Sequence, residues 1–208
     1  MYDHLITTMA DLEEGRVVEL VQKLLDSNEE PQNILEACQQ GMSIVGQRFE
    51  AGEYYLSDLI MAGEIFKQVS NLLTPRLAGK TNYETKGRIV IGTVKGDIHN
   101  IGKDIVVSML RGANYEVYDL GVDVAPEKFV KAVEEKDASI LGLSGLLTIS
   151  FGSMRETVAA LAESGLSAKV KVMIGGGPVT EDVRKLVGAD ALGRNAQEAV
   201  RLCNNWIA

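Results

Sequence analysis

Histidine and cysteine are scarce in this 208-residue chain, with two of each, and each scarcity removes a class of chemistry. Cys38 and Cys203 lie far apart and neither belongs to a CxxC pair. That argues against a disulfide framework or a cysteine zinc site, and two reduced thiols are expected. The histidines, His4 and His99, are too few and too widely separated for a zinc site built from protein ligands. Positive charge is also short: the formal net charge is -8, which is unfavourable for a polyanionic partner, so no nucleic acid is expected. No apolar run approaches the roughly 20 residues that span a bilayer, so no membrane association is expected either. The opening stretch MYDHLITTMADLEEG has no basic segment followed by an apolar one, and a cytoplasmic protein is expected.

What remains is the balance of a globular protein, 46% hydrophobic and 24% charged. Its two halves have different periods. Over residues 1–78 apolar residues recur at helical spacing, as in Leu20 and Leu24 or Leu56, Leu59, Ile60, Phe66, Val69 and Leu73. Breaks at Glu13-Glu14-Gly15, at 27–31 with Pro31 suited to a first helical turn, and at Ala51-Gly52-Glu53 predict a four-helix bundle. Residues 79–87 are polar and aperiodic and read as a linker. Over residues 88–208 short apolar segments alternate with helical ones. The strands are expected at 88–94, 116–120, 139–144, 169–174 and 189–192. This alternation predicts a doubly wound, five-stranded parallel sheet of flavodoxin-like order, with ligands bound outside the carboxyl ends of its strands.

The loops at those ends are Gly96-Asp97-Ile98-His99-Asn100-Ile101-Gly102, then Gly121-Val122-Asp123, Ser144-Gly145-Leu146-Leu147-Thr148 and Gly175-Gly176-Gly177-Pro178. Small residues there let a flat ligand approach the backbone. The first loop fails as a phosphate loop: its glycines are one residue too far apart for GxxxxGK[ST], and Asp104 stands where the hydroxyl is needed. The dinucleotide fingerprint GxGxxG is absent, and no GxSxG elbow surrounds Ser144. Asp97 and His99 suit an oriented imidazole, with the carboxylate accepting one ring N–H and the other nitrogen left as a base or a metal ligand. A single histidine suffices as a metal ligand only when a cofactor brings the others. In isolation His99 is an ordinary loop histidine and Thr148 an ordinary helix cap; it is their joint placement with Ser144 and Gly175-Gly176 on one face that favours a site.

The pattern Asp97-x-His99-x-x-Gly102, followed by Ser144-x-Leu146 and Gly175-Gly176, resembles the cobalamin-binding domain shared by corrinoid methyl carriers, methionine synthase and several mutases. The helical half, notably residues 45–56, resembles the cap of the methyl-transferring branch. The resemblance implies a cobalamin bound base-off, with His99 as the lower cobalt ligand. Asp97 would hydrogen-bond the ring and Ser144 would extend that relay towards solvent. The displaced benzimidazole tail would lie beside Ser144, Leu146, Thr148, Gly175 and Gly176. Gly96, Ile98, Asn100 and Gly102 would shape the histidine loop, and Ala196 would stand near the corrin and nucleotide. Tyr55, Leu56 and Leu59 would form a lid over the upper face. The implied role is a non-catalytic carrier of methyl groups between a substrate-specific methyltransferase and a second one acting on tetrahydrofolate or a thiol, served by a reductive activator. A cobalamin-based regulator or a mutase small subunit are the alternatives.

Overall fold

The computed structural model describes residues 1–77 and 85–207. The boundary expected at residue 78 and most of the expected linker, 79–84, lie outside the described residues. The chain divides into two compact units, one helical and one α/β.

The helical unit comprises α1 (Tyr2–Ala10), α2 (Glu14–Asp26), α3 (Pro31–Glu50) and α4 (Leu56–Leu77). Each helix owes its place to one apolar stripe. Val17, Val21, Leu24 and Leu25 form it on α2, and Leu59, Ala62, Phe66, Val69 and Leu73 on α4, all buried at i, i+3, i+4 and i+7 spacing. Pro31 opens α3, where its missing N–H costs nothing. Tyr55 stands immediately before α4, and its N–H is bonded by Asp58 Oδ2 at 2.7 Å, half of a capping box. The turn leading to it is tied down by Arg48. Its Nη1 reaches the Ala10 carbonyl and Asp11 Oδ1, both at 2.8 Å, and the Tyr54 hydroxyl at 2.7 Å. These bonds satisfy a carbonyl left open at the C-terminus of α1.

In the α/β unit the strands are β1 (Arg88–Thr93), β2 (Glu116–Asp119), β3 (Ile140–Ser144), β4 (Lys171–Gly175) and β5 (Ala191–Gly193). They pair in parallel in the order β2-β1-β3-β4-β5, the flavodoxin-like arrangement expected, with boundaries shifted by one or two residues. Between them run α5 (Ile101–Gly112), α6 (Pro126–Lys136), α7 (Ser150–Glu163) and α8 (Glu181–Val187), with α9 (Ala196–Ile207) closing the unit. Val90, Leu141, Leu143, Val172 and Ile174 meet Phe129 of α6 and Met154 and Leu161 of α7 in a continuous core. Strands buried on both faces read as apolar runs rather than alternating ones, which is why they stand out in the sequence.

This order reverses direction at β1: the chain passes from β1 to β2 on one side, then returns to place β3 on the other. A crevice opens at such a switch point, outside the carboxyl ends of β1 and β3. One register row crosses the strand ends there, pairing Thr93 with Ser144, Ser144 with Gly175 and Gly175 with Gly193.

Candidate cofactor site

The histidine loop leaves β1 after Thr93 and enters α5 at Ile101, so Gly102 lies in the first turn of that helix. Gly96 takes a φ of +84°, a left-handed turn that glycine adopts freely, and its N–H is held by Asp123 Oδ1 at 2.8 Å. From below, the fully buried Thr93 donates its hydroxyl to the His99 carbonyl at 3.0 Å. Asn100 donates to Asp104 Oδ2 at 2.8 Å within the same first turn. The loop is fixed on both sides by groups that lie outside the motif itself.

Asp97 is the hub. Its side chain is fully buried. Oδ1 accepts from the His99 backbone N–H at 3.0 Å and faces His99 Nδ1 at 2.8 Å. Oδ2 accepts from the backbone N–H groups of Leu146 at 2.7 Å and Leu147 at 3.0 Å, and from Ser150 Oγ at 2.8 Å. Burial opposes ionisation, but the hydrogen bonds from His99, Leu147 and Ser150 outweigh it and hold the carboxyl well below the usual carboxylate range. An ionised carboxylate can only accept, so the proton between the two side chains belongs to His99 Nδ1. In the neutral ring His99 Nε2 is then the lone-pair nitrogen, on a side chain 47% exposed and with no hydrogen-bond partner among the described residues.

Around that ring the α/β unit exposes Ile98, Ile101, Leu146, Leu147 and Ile149, a density of apolar surface on two adjacent loops that water alone does not favour. Beside them is a place where side chains are absent by necessity. Gly176 has a φ of +138°, and a Cβ there would lie 1.9 Å from the Gly145 carbonyl oxygen. At Gly175 a Cβ would come within 3.1 Å of the Gly193 carbonyl. Among the described residues no group of three or more His, Cys, Asp or Glu side chains gathers around a metal position. His99 therefore offers one nitrogen donor on an apolar rim beside a glycine-lined crevice. A corrin, which supplies its own equatorial nitrogens and presents a broad apolar face, fits that donor set.

The structure brings together Gly96, Asp97, Ile98, His99, Asn100, Gly102, Ser144, Leu146, Thr148, Gly175 and Gly176 at the same ends of neighbouring strands. Two placements differ from expectation. Ser144 makes none of the hydrogen bonds of Asp97; the hydroxyl on that carboxylate belongs to Ser150, the first residue of α7. Leu59 sits in the buried stripe of α4 at 1% exposure, packed within its own bundle, whereas Tyr55 and Leu56 are exposed. Thr148 lies in the exposed turn before α7, with its carbonyl accepting from the Phe151 N–H at 3.3 Å. Ala196 opens α9 and is 6% exposed, leaving little but backbone to offer a ligand.

Lys103 and Ser150 were missed from the sequence. Lys103 is buried, its Nζ 2.5 Å from Asp104 Oδ1 and 2.6 Å from Asp119 Oδ2 at the end of β2, which clamps the start of α5 to the sheet. Nothing in the local pattern distinguishes it from a solvated lysine. Ser150 could have been suspected as a small polar residue at a helix start following a strand-end loop.

Residues 87–201 match the B12 binding domain family, and residues 1–74 match a second family model also described as a B12 binding domain. The chain is 38% identical to a corrinoid protein of Desulfitobacterium hafniense (strain Y51), over 98% of this chain and 96% of that one. It is 36% identical to dimethylamine corrinoid protein 2 of Methanosarcina acetivorans, over 96% of this chain and 93% of that one. Among solved structures, the methanol:cobalamin methyltransferase complex MtaBC from Methanosarcina barkeri superposes with a TM-score of 0.85 at 28% identity, covering 98% of this chain and 78% of the matched one. Fold and site together define a cobalamin-binding protein of the two-part, helical plus α/β kind. The chain belongs to the B12-binding family, and its cofactor is a cobalamin.

Proposed function

We propose that this chain is the methyl-carrying subunit of a corrinoid methyltransferase system and holds its cobalamin base-off, with His99 Nε2 as the lower ligand of cobalt. The observation that carries this reading is the Asp97–His99 pair: Nδ1 is committed to a buried carboxylate and Nε2 is free on an apolar rim. When bound, the corrinoid supplies a cobalt centre that can take up and give up a methyl group. His99 would hold it through Nε2, and Asp97 would fix the ring's tautomer and orientation, as the partners of metal-bound histidines do. Ile98, Leu146 and Ile149 cover apolar surface, while Gly175 and Gly176 leave room for the displaced nucleotide tail beside Ser144. The chain's partners are a substrate-specific methyltransferase, a second methyltransferase acting on tetrahydrofolate or a thiol, and a reductive activator. The names of the relatives support a methylamine or methanol as the donor class.

Reconstitution with methylcobalamin tests the reading. The loaded protein should show a spectrum with the benzimidazole displaced and an imidazole in its place, and His99→Ala should abolish the imidazole signature while binding weakens. An unchanged spectrum in His99→Ala would sink the assignment.

A further inference from the structure

We infer that Asp123, in the connection from β2 to α6, is a positioning residue for the histidine loop: its carboxylate and its backbone N–H together hold the turn from which Asp97 and His99 project. The consequence for cobalt rests on the reading of His99 as the lower ligand; the hold on the loop does not.

The backbone of Asp123 is unusual. Its φ of +53° lies in the left-handed region, which residues other than glycine adopt uncommonly. Aspartate tolerates it because its short carboxylate can bond nearby backbone, and such a conformation persists where the surroundings over-determine it. Here the bonds go to a different loop. Asp123 Oδ1 accepts from the Gly96 N–H at 2.8 Å, 27 residues away in sequence, and the Asp123 N–H donates to the Asp97 carbonyl at 3.0 Å. One residue thus grips the backbone from the Gly96 N–H to the Asp97 carbonyl, just ahead of His99.

The connection that carries Asp123 is itself fixed to the sheet. The Thr93 N–H donates to the Gly121 carbonyl at 2.9 Å, the Val124 N–H donates to the Thr93 carbonyl at 3.0 Å, and Val94 and Val124 form a parallel bridge. At its near end Asp119 Oδ1 accepts from the Gly121 N–H at 2.9 Å, while Oδ2 lies 2.6 Å from Lys103 Nζ in the first turn of α5. The connection therefore meets the histidine loop on both sides, through Asp123 before Asp97 and through Asp119 after His99. With the far side clamped by Lys103, release of the Gly96 turn shifts the Asp97 backbone and, through the Asp97 carboxylate, the His99 ring. Asp123 is exposed, so its bond competes with water and the effect is modest.

The test uses the full chain with and without cofactor and separates the acceptor from the backbone. Asp123→Gly keeps the left-handed turn and deletes the carboxylate, whereas Asp123→Asn keeps the turn and an Oδ1 acceptor without the charge. Thermal melts show that both variants are folded. In the apo-protein, amide hydrogen exchange at Gly96 should be about tenfold faster in Asp123→Gly, the factor that corresponds to a hydrogen bond to a charged group. Exchange at the His99 N–H, which bonds Asp97 Oδ1, should also accelerate, and Asp123→Asn should match wild type at both amides. Neither amide neighbours residue 123 in sequence, so intrinsic exchange rates are unchanged by the substitutions. For the loaded protein, a His4→Gln background labelled with nitrogen-15 histidine makes His99 the sole labelled imidazole. An imidazole on cobalt(II) then splits the electron paramagnetic resonance lines into doublets, and a benzimidazole into triplets. The equilibrium for imidazole ligation should fall about threefold in Asp123→Gly, within the range for residues that bias a site without touching it. It should hold its wild-type value in Asp123→Asn, a rescue that tracks the acceptor rather than the charge. Wild-type exchange at Gly96 and His99 in Asp123→Gly overturns the inference. So does wild-type ligation alongside altered exchange, or an Asp123→Asn variant that behaves like Asp123→Gly. A loaded wild-type protein without doublets would refute His99 as the ligand, and exchange at Gly96 and His99 then decides by itself whether Asp123 holds the loop.

Discussion

Asp97 combines full burial with a permanent charge, a pairing that proteins support only where hydrogen bonds replace water. Its folded-state pKa lies below the unfolded carboxylate value of about 3.9, so between the two values the unfolded chain binds the extra proton. The stability Asp97 contributes is complete above that unfolded value and is lost as pH falls through it towards the folded one. Urea unfolding of the apo-protein across the acid range should therefore show stability declining from about pH 4.5 downwards. Asp97→Asn should remove that part of the slope and destabilise the α/β unit by about 2 kcal/mol, because an amide NH2 would face donors that need an acceptor. A slope unaltered by the substitution would show that other carboxylates carry the acid response.

Loops in this protein are placed by the elements they leave. The β4–α8 turn comes within reach of the β3–α7 loop only because Gly176 lets the backbone meet the Gly145 carbonyl. Gly176→Ala combines a clash at 1.9 Å with an unfavourable φ of +138°. It should cost about 2 kcal/mol or more in chemical denaturation, at the level of backbone strain, and should weaken cobalamin binding in equilibrium titration. Phe129→Ala acts differently. Phe129 is fully buried between α6 and the sheet, so its truncation should cost about 3–5 kcal/mol in the same assay. Since Phe129 makes none of the hydrogen bonds that hold Asp97 and His99, binding by the fraction that remains folded should keep near wild-type affinity. Equal binding losses in the two variants would contradict this separation of site and core.

Each of the two compact units carries one cysteine, Cys38 on α3 and Cys203 on α9, and both are fully buried. Burial pushes both thiols up to about 12, far from the thiolate form that alkylating agents need. Iodoacetamide should therefore label neither in the native protein at neutral pH and both after denaturation. Under partial denaturation, mass spectrometry of the two peptides should report the opening of each unit separately. Rapid native labelling of Cys203 would mean that α9 detaches readily from the sheet.

The alternation of apolar strands with helices, the four amphipathic segments before it and the placement of small residues at strand ends were all legible from local pattern, because period and turn chemistry are local properties. The Asp97–His99 pair was legible for the same reason: two residues apart on one loop, they can meet without help from the rest of the chain. Exposure was not local. Leu56 and Leu59 are both leucines on α4, and only the packing of the bundle buries one and leaves the other in solvent. The partner of Asp97 was not local either. Ser144 and Ser150 lie at the two ends of one loop, and the choice between them depends on how α7 docks against the switch point, on the space left by Gly145, and on two backbone N–H groups 49 and 50 residues away from the carboxylate they bind. Such contacts are decided by the parallel sheet bringing β1 and β3 side by side. Residue pattern therefore singled out the Asp97–His99 pair, and tertiary packing chose what holds it.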